Sequence, residues 1–238
     1  QPSEFYSRLK TAKVMPSSSQ ATPKIFHEIF KAEAEAGNSV LAILISEVLS
    51  GTIASAIQAR EMLPGATIEI VDSRTTSMAM GFTLLAAARA LEDGANLAEA
   101  KALAEKAREH VGVVFAVDTL EFLHRGGRIG GANRFLGTAL NIKPILEVTG
   151  GKVEGIEKVR TRSKSLNRVI EIIGERIGGR TPVRLATLHA NAPEEAKTVL
   201  EEASKQFNAV EAIASEVSPV VGTHAGPGTV GLAFMAGI

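Results

Sequence analysis

The chain has 238 residues, 45% of them hydrophobic and 22% charged, with 26 Lys+Arg balancing 26 Asp+Glu. This is a globular composition with material for one large domain or two smaller ones, and it offers nucleic acid no electrostatic handhold. The absence of cysteine excludes disulfides, thiolate zinc sites and a cysteine nucleophile together.

In chain order, the stretch Gln1–Phe5 has neither the basic nor the apolar region of a signal peptide. Thr22-Pro23 reads as the N-cap and first residue of a helix that ends near Gly37. Val40–Ile45 is a continuous apolar run, the pattern of a strand covered on both faces, and it is far too short to cross a bilayer. Ile53, Ala56 and Ile57 lie at helical spacing before a stop at Pro64-Gly65, and Thr67–Asp72 is a second predicted strand. A helix from Thr76 towards Gly94 would carry Met78, Phe82, Leu85 and Ala86 inward, and Asn96 with Glu99 has the form of a capping box.

The second half is richer in strands. Gly112–Asp118, Lys143–Thr149, Lys152–Arg160, Pro182–His189, Ala209–Val217 and Thr229–Met235 are predicted strands, the second and third joined in a hairpin at Gly150-Gly151. The long helices here are Ser163–Ile177 and Pro193–Phe207. The expected class is therefore α/β. An N-terminal α/β domain with a mainly parallel sheet would span 1–110, and a C-terminal α+β domain with a mostly antiparallel six-stranded sheet 111–238. With no targeting or spanning segment in view, a cytoplasmic location without stable membrane insertion is expected.

Five segments carry candidate chemistry. At Ile45–Thr52 a buried strand turns into a helix through Ser50, Gly51 and Thr52, so free helix N–H groups and hydroxyls would face an anion. A simple cap at Ser50 is the structural alternative. Pro16–Pro23 adds Ser17, Ser18 and Ser19 ahead of a capped helix, and Asp72-Ser73 with Thr75-Thr76-Ser77 places more hydroxyls at a strand end. In Asp118–Ile129, Asp118 and Glu121 read as a capping pair, Gly126 as a helix terminator, and the two arginines as a contact surface. Gly226–Gly231 matches the dinucleotide fingerprint, but seven residues after Gly231 leave no room for a βαβ unit. His224 sits just ahead of it, among glycines that permit close approach of a ligand. There is no nucleophile elbow around Ser50, no Walker A loop and no paired-histidine zinc motif.

Taken together, these segments resemble the DegV family of bacterial fatty-acid-binding proteins across essentially the whole chain. The likeness rests on Ser18-Ser19-Gln20, Ile45–Thr52, Val71-Asp72-Ser73 with Ser77-Met78 and Gly81, and Asp118–Ile129. It continues through Leu140–Leu146, Val159-Arg160-Thr161-Arg162, and His224 with Gly226-Pro227-Gly228. The resemblance implies two domains and a tunnel near their junction that holds a long-chain fatty acid such as palmitate, stearate or oleate. Carried over residue by residue, Ser18, Ser50, Gly51 and His224 would hold the carboxylate, with Ser19, Thr52 and Arg160 in support. No metal or cofactor is implied. The partner would be a fatty acid kinase catalytic subunit that phosphorylates the presented acid to an acyl phosphate. Two departures stand out. The family normally begins with a further strand carrying Asp-Ser-Thr, which is missing here, and Ser18 and Ala21 stand where Thr and Pro are usual.

The chemistry is consistent with a neutral protein. At about 0.8 kcal/mol per methylene, a chain of ~14 methylenes offers roughly 11 kcal/mol before ordering costs, so the head group needs orientation more than strong pairing. Three readings follow: a carrier that presents fatty acid to a kinase, a hydrolase or acyltransferase with Ser50 as nucleophile and His224 as base, and a regulatory module without lipid.

Overall fold

The computed structural model describes residues 2–137 and 142–238; Leu140 and Asn141 of the Leu140–Leu146 segment lie outside them. The first half runs α1 (Pro2–Leu9), α2 (Pro23–Glu35), β1 (Val40–Leu44), α3 (Thr52–Glu61), β2 (Ile68–Asp72), α4 (Ser77–Glu92) and α5 (Leu97–Ala107). The second runs β3 (Val111–Ala116), α6 (Glu121–Arg125), a 3₁₀ turn (Gly130–Phe135), β4 (Lys143–Thr149), β5 (Lys152–Val159) and α7 (Arg162–Ile177). It continues through β6 (Val183–His189), α8 (Pro193–Phe207), β7 (Glu211–Glu216), α9 (Pro219–Ala225) and β8 (Val230–Ala236).

Local chemistry accounts for several of these boundaries. Thr22 Oγ1 accepts from Ile25 N at 3.4 Å with Pro23 at the first helical position. The capping box of α5 is complete, Asn96 Oδ1 accepting from Glu99 N and Glu99 Oε2 from Asn96 N. Thr161 caps α7, and Gly178 ends it in the left-handed conformation at φ 61°.

The apolar run of β1 is covered on both faces, as its sequence requires. Leu41 and Ile43 pack towards α4 and α5, whereas Val40, Ala42 and Leu44 pack towards α2 and α3. It pairs in parallel with β2, Val40 opposite Ile68. The second sheet has six strands in the order β5-β4-β3-β8-β6-β7, antiparallel throughout except for β6 and β7. The class is thus α/β, with a small parallel sheet and a mostly antiparallel six-stranded one.

The two faces of the large sheet bury different partners. On one, Ile170 and Ile173 of α7 and Val199 of α8 meet Leu185 and Leu232. On the other, Tyr6 of α1 and Phe82 of α4 meet Val113, Ala186 and Ala233. Helices from the first half therefore roof the sheet of the second, and one apolar cluster runs through both.

Two features depart from the sequence reading. Helix α1 was not foreseen; its stability comes from Tyr6, fully buried, whose hydroxyl donates to Val217 O at 2.7 Å. Asp118 does not cap α6. Thr119 Oγ1 accepts from Glu121 N at 3.2 Å instead, because Asp118 is drawn to Lys143 Nζ at 2.7 Å and lies 3.9 Å from Arg162.

Candidate functional site: a hydroxyl-lined apolar cavity

A cavity of about 320 Å³ lies where the β1–α3 loop and the start of α4 face β3, β4, β5 and α9. Its walls are mostly aliphatic, from Leu49, Val113, Phe115, Val153, Leu188 and Val217. Its polar groups include Ser18, Ser19, Gln20, Ser50, Thr52, Arg128 and His224, with Thr76 and Ser77 at the start of α4 and Thr229 ahead of β8. An apolar chamber with a few converging polar groups is the usual form of a small-ligand site.

The cavity brings together two of the serines singled out by sequence. Ser18 Oγ stands 2.6 Å from His224 Nε2. Ser50 Oγ lies 2.7 Å from Thr52 Oγ1 and accepts from Thr52 N at 3.3 Å. The N-cap of α3 is Gly51, not Ser50, and it makes no side-chain cap. A Cβ at Gly51 would come within 2.9 Å of Gln20 Nε2, so the end of the Gln20 side chain lies against the start of α3.

His224 rides on α9, a seven-residue helix that the glycine-rich sequence had concealed. Pro219 at its first turn suits a helix start. Gly222 faces Tyr6 so closely that a Cβ would overlap the ring. Gly126, just past α6, likewise leaves no room for a Cβ beside His224 Nδ1. That nitrogen is buried and has no hydrogen-bond partner among the described residues. Burial, and then the charge of Arg128, push the His224 imidazole below its ordinary value, so the ring is neutral near pH 7.

Arg128, which the sequence marks only as part of a contact surface, belongs to the site. Its Nε donates to Leu49 O at 3.1 Å and its Nη1 to Gly126 O at 2.7 Å. These bonds leave a fixed guanidinium on the cavity wall beside the hydroxyls. The available signal was the Gly126-Gly127-Arg128 run after a helix, which places a cation next to a tight turn.

Ser46 was also passed over. Its buried Oγ donates to Gly151 O at 2.7 Å and accepts from Val48 N at 3.2 Å, tying the β1–α3 loop to the β4–β5 turn. Gly151, at φ 83°, admits this contact because a Cβ would come within 2.6 Å of Ser46 Oγ. Ser77 holds φ 53° at the entry to α4, a left-handed conformation uncommon for a residue with a Cβ and often found at ligand sites.

Arg160 is not part of this arrangement. It is exposed beyond the end of β5, whereas the cavity reaches that strand at Val153, on the order of 20 Å away along an extended chain. Its neighbour Arg162 turns inward instead, with Nη2 on Glu195 at 2.6 Å and on Gly228 O at 2.6 Å. Ser19 is exposed at the rim. Among the described residues no His, Asp or Glu cluster is placed to hold a metal ion, and no helix is long and apolar enough to cross a membrane.

Residues 1–237 match the family model described as an uncharacterised protein of the DegV family. A DegV domain-containing protein of Clostridium acetobutylicum is 36% identical over 234 residues, covering 97% of this chain and 81% of that protein. Protein DegV of Bacillus subtilis is 34% identical over 232 residues, covering 97% and 82%. Among solved structures, a fatty-acid-binding DegV family protein from Thermus thermophilus superposes with a TM-score of 0.93 at 33% identity, covering 99% of this chain and 84% of that one. DegV of Bacillus subtilis, described as a fatty acid binding protein, gives 0.85 at 32% identity, covering 98% and 83%. The chain belongs to the DegV family.

Proposed function

We propose that this protein is a non-catalytic carrier that binds a long-chain fatty acid in the cavity and presents its carboxylate to a fatty acid kinase for conversion to an acyl phosphate. The observation that carries this reading is the composition of the cavity, a largely aliphatic chamber whose polar groups are hydroxyls, the Gln20 carboxamide, one neutral imidazole and one guanidinium. The fatty acid binding described for similar proteins of Thermus thermophilus and Bacillus subtilis supports it.

In this reading the carboxylate is held by Ser18, Ser50, the Gly51 backbone and His224, with Ser19 and Thr52 in support. Arg128 supplies the positive charge for which Arg160 is too distant. Residues 1–110 contribute the serines, and residues 111–238 close the chamber and add His224. A neutral His224 donating from Nε2 to Ser18 Oγ leaves the Ser18 hydroxyl free to donate to the carboxylate, a chain of donors that strengthens each member. The buried chain supplies most of the affinity at about 0.8 kcal/mol per methylene, and each bond to the carboxylate adds about 1.5–3 kcal/mol. The protein would act in the cytoplasm.

A hydrolase would use the Ser18–His224 pair, because Ser50 is engaged with Thr52. A triad also needs a group to orient the imidazole, and His224 Nδ1 has no such partner among the described residues. The test is to denature purified protein, extract it and analyse the extract by mass spectrometry, before and after incubation with mixed fatty acids. Recovery of one fatty acid per chain is expected. If neither preparation yields fatty acid, the carrier reading fails, and Ser18-dependent turnover of acyl esters would replace it with the hydrolase.

A further inference from the structure

The large sheet is split at one end. Strand β3 pairs with β8 along its full length, from Val111 opposite Met235 to Ala116 opposite Val230, and β4 pairs with β5 from Lys143 to Thr149. Between β3 and β4, however, pairing covers only Val114–Ala116 with Ile145–Glu147. Below Val114 and beyond Glu147 the two central strands part.

A second recess, of about 380 Å³, occupies this parting. It lies on the α7 side of the sheet, lined by Glu109, Gly112, Glu147, Arg176, Arg180 and Phe234. Gly112 helps to form it, since a Cβ there would come within 2.6 Å of the Phe234 ring. The recess is polar. Arg176 forks onto both oxygens of Glu147 at 2.9 and 3.1 Å, and Arg180 binds Glu109 O at 3.0 Å. Strand edges that lose their ladder must be solvated, so a wet recess is what this split demands.

Val113 and Val148 line both spaces. Each belongs to the apolar cluster on the cavity face of the sheet. They stand on the two sides of the split, one residue beyond the last pair, Val114 with Glu147. Val113 is three residues down β3 from Ala116, roughly 10 Å from the end where β8 emerges from the His224 loop.

We propose that Val113 and Val148 are the wall that sets how long an acyl chain the cavity accepts, with the split between β3 and β4 as the space a longer chain enters when that wall is lowered. This rests on the reading that the cavity holds an acyl chain. Two branched side chains close the gap on the dry side, and behind them lies solvent among charged groups. A methyl terminus that fits stops against them, and a longer chain must push between them into water. Truncating either side chain joins the spaces, whereas enlarging one shortens the cavity.

The test uses the intact chain and saturated fatty acids from C12 to C22 offered as an equimolar mixture, with the bound fraction read by mass spectrometry after extraction. Val148→Ala and Val113→Ala are expected to move the most abundant bound acid two to four carbons longer, and Val148→Phe to move it shorter by a similar step. Ser18→Ala serves as the contrast, lowering total occupancy without moving the length distribution. Melting curves confirm that each variant is folded, and two alanine variants guard against the loss of one. A length distribution that stays at the wild-type position in both alanine variants and in Val148→Phe overturns the proposal while leaving the carrier reading intact. Wild-type protein that binds no acid of any length overturns the carrier reading and this proposal with it.

Discussion

Ser18 Oγ and His224 Nε2 meet at 2.6 Å although 206 positions separate them in the chain. The contact depends on a third residue, because Gly126 lies against the other ring nitrogen and leaves no room for a side chain. Gly126→Ala should therefore drive the imidazole out of line with Ser18. Its backbone, at φ −76°, tolerates alanine, so the strain falls on the ring and not on the turn. Loss of one carboxylate bond at about 1.5–3 kcal/mol corresponds to roughly ten- to hundredfold weaker binding. Titration of delipidated variant with a fluorescent fatty acid checks it; wild-type affinity would show that the ring position does not matter.

Arg128 is expected to act on charge as well as on shape. Arg128→Met removes the cation that helps to depress the His224 imidazole and, on the proposed reading, takes a positive charge away from the bound carboxylate. Affinity should fall about tenfold or more, and His224 should titrate at a higher pH than in the wild type. Chemical shifts of the His224 ring across a pH series report the second effect independently of the first.

Stability should depend on pH through two histidines. Burial lowers both His224 and His189, with Arg128 adding to the effect at His224 and Glu216 opposing it at His189. Each ring binds a proton more readily in the unfolded chain than in the folded one. Their contribution is therefore complete above the ordinary imidazole value of about 6.5 and is lost as pH falls from there through the lowered values. Melting temperatures should drop as pH falls below about 6.5, and His224→Gln should flatten part of that slope. An unchanged slope in that variant would assign the effect elsewhere.

The packing of α1 on α9 gives a prediction remote from any hydroxyl. Gly222→Ala puts a methyl group into the Tyr6 ring, and overpacking of this kind costs about 1–3 kcal/mol. Tyr6→Phe removes the bond to Val217 O and should cost about 1 kcal/mol without moving the helix. Denaturant unfolding separates the two. The alanine variant should also release fatty acid faster, because the strain bears on the helix that carries His224.

Much of the fold was legible because its signals are local. The bounds of α8 and β4 coincide with those expected, and the capping box at Asn96 and the hairpin at Gly150-Gly151 are present. The class followed from the change in rhythm between the halves. What escaped notice depended on distant partners. Helix α1 exists because Tyr6 finds Val217, and α9 keeps a glycine in its middle because that face must fit the tyrosine. At the site, Ser18, Ser50 and His224 were readable as hydroxyls and a histidine beside glycines. Arg128 was not, since its role comes from a turn that aims it, and Arg160 was chosen from a motif whose inward member is Arg162.

The Tyr6 anchor makes the ligand site answerable to a stretch of chain that contains none of its residues. A protease that cuts before Lys10 would remove the cover from Gly222 and unseat the helix that carries His224, although none of the residues cut away lines the cavity. Lipid retention should thus be a sensitive gauge of whether α1 is seated on α9.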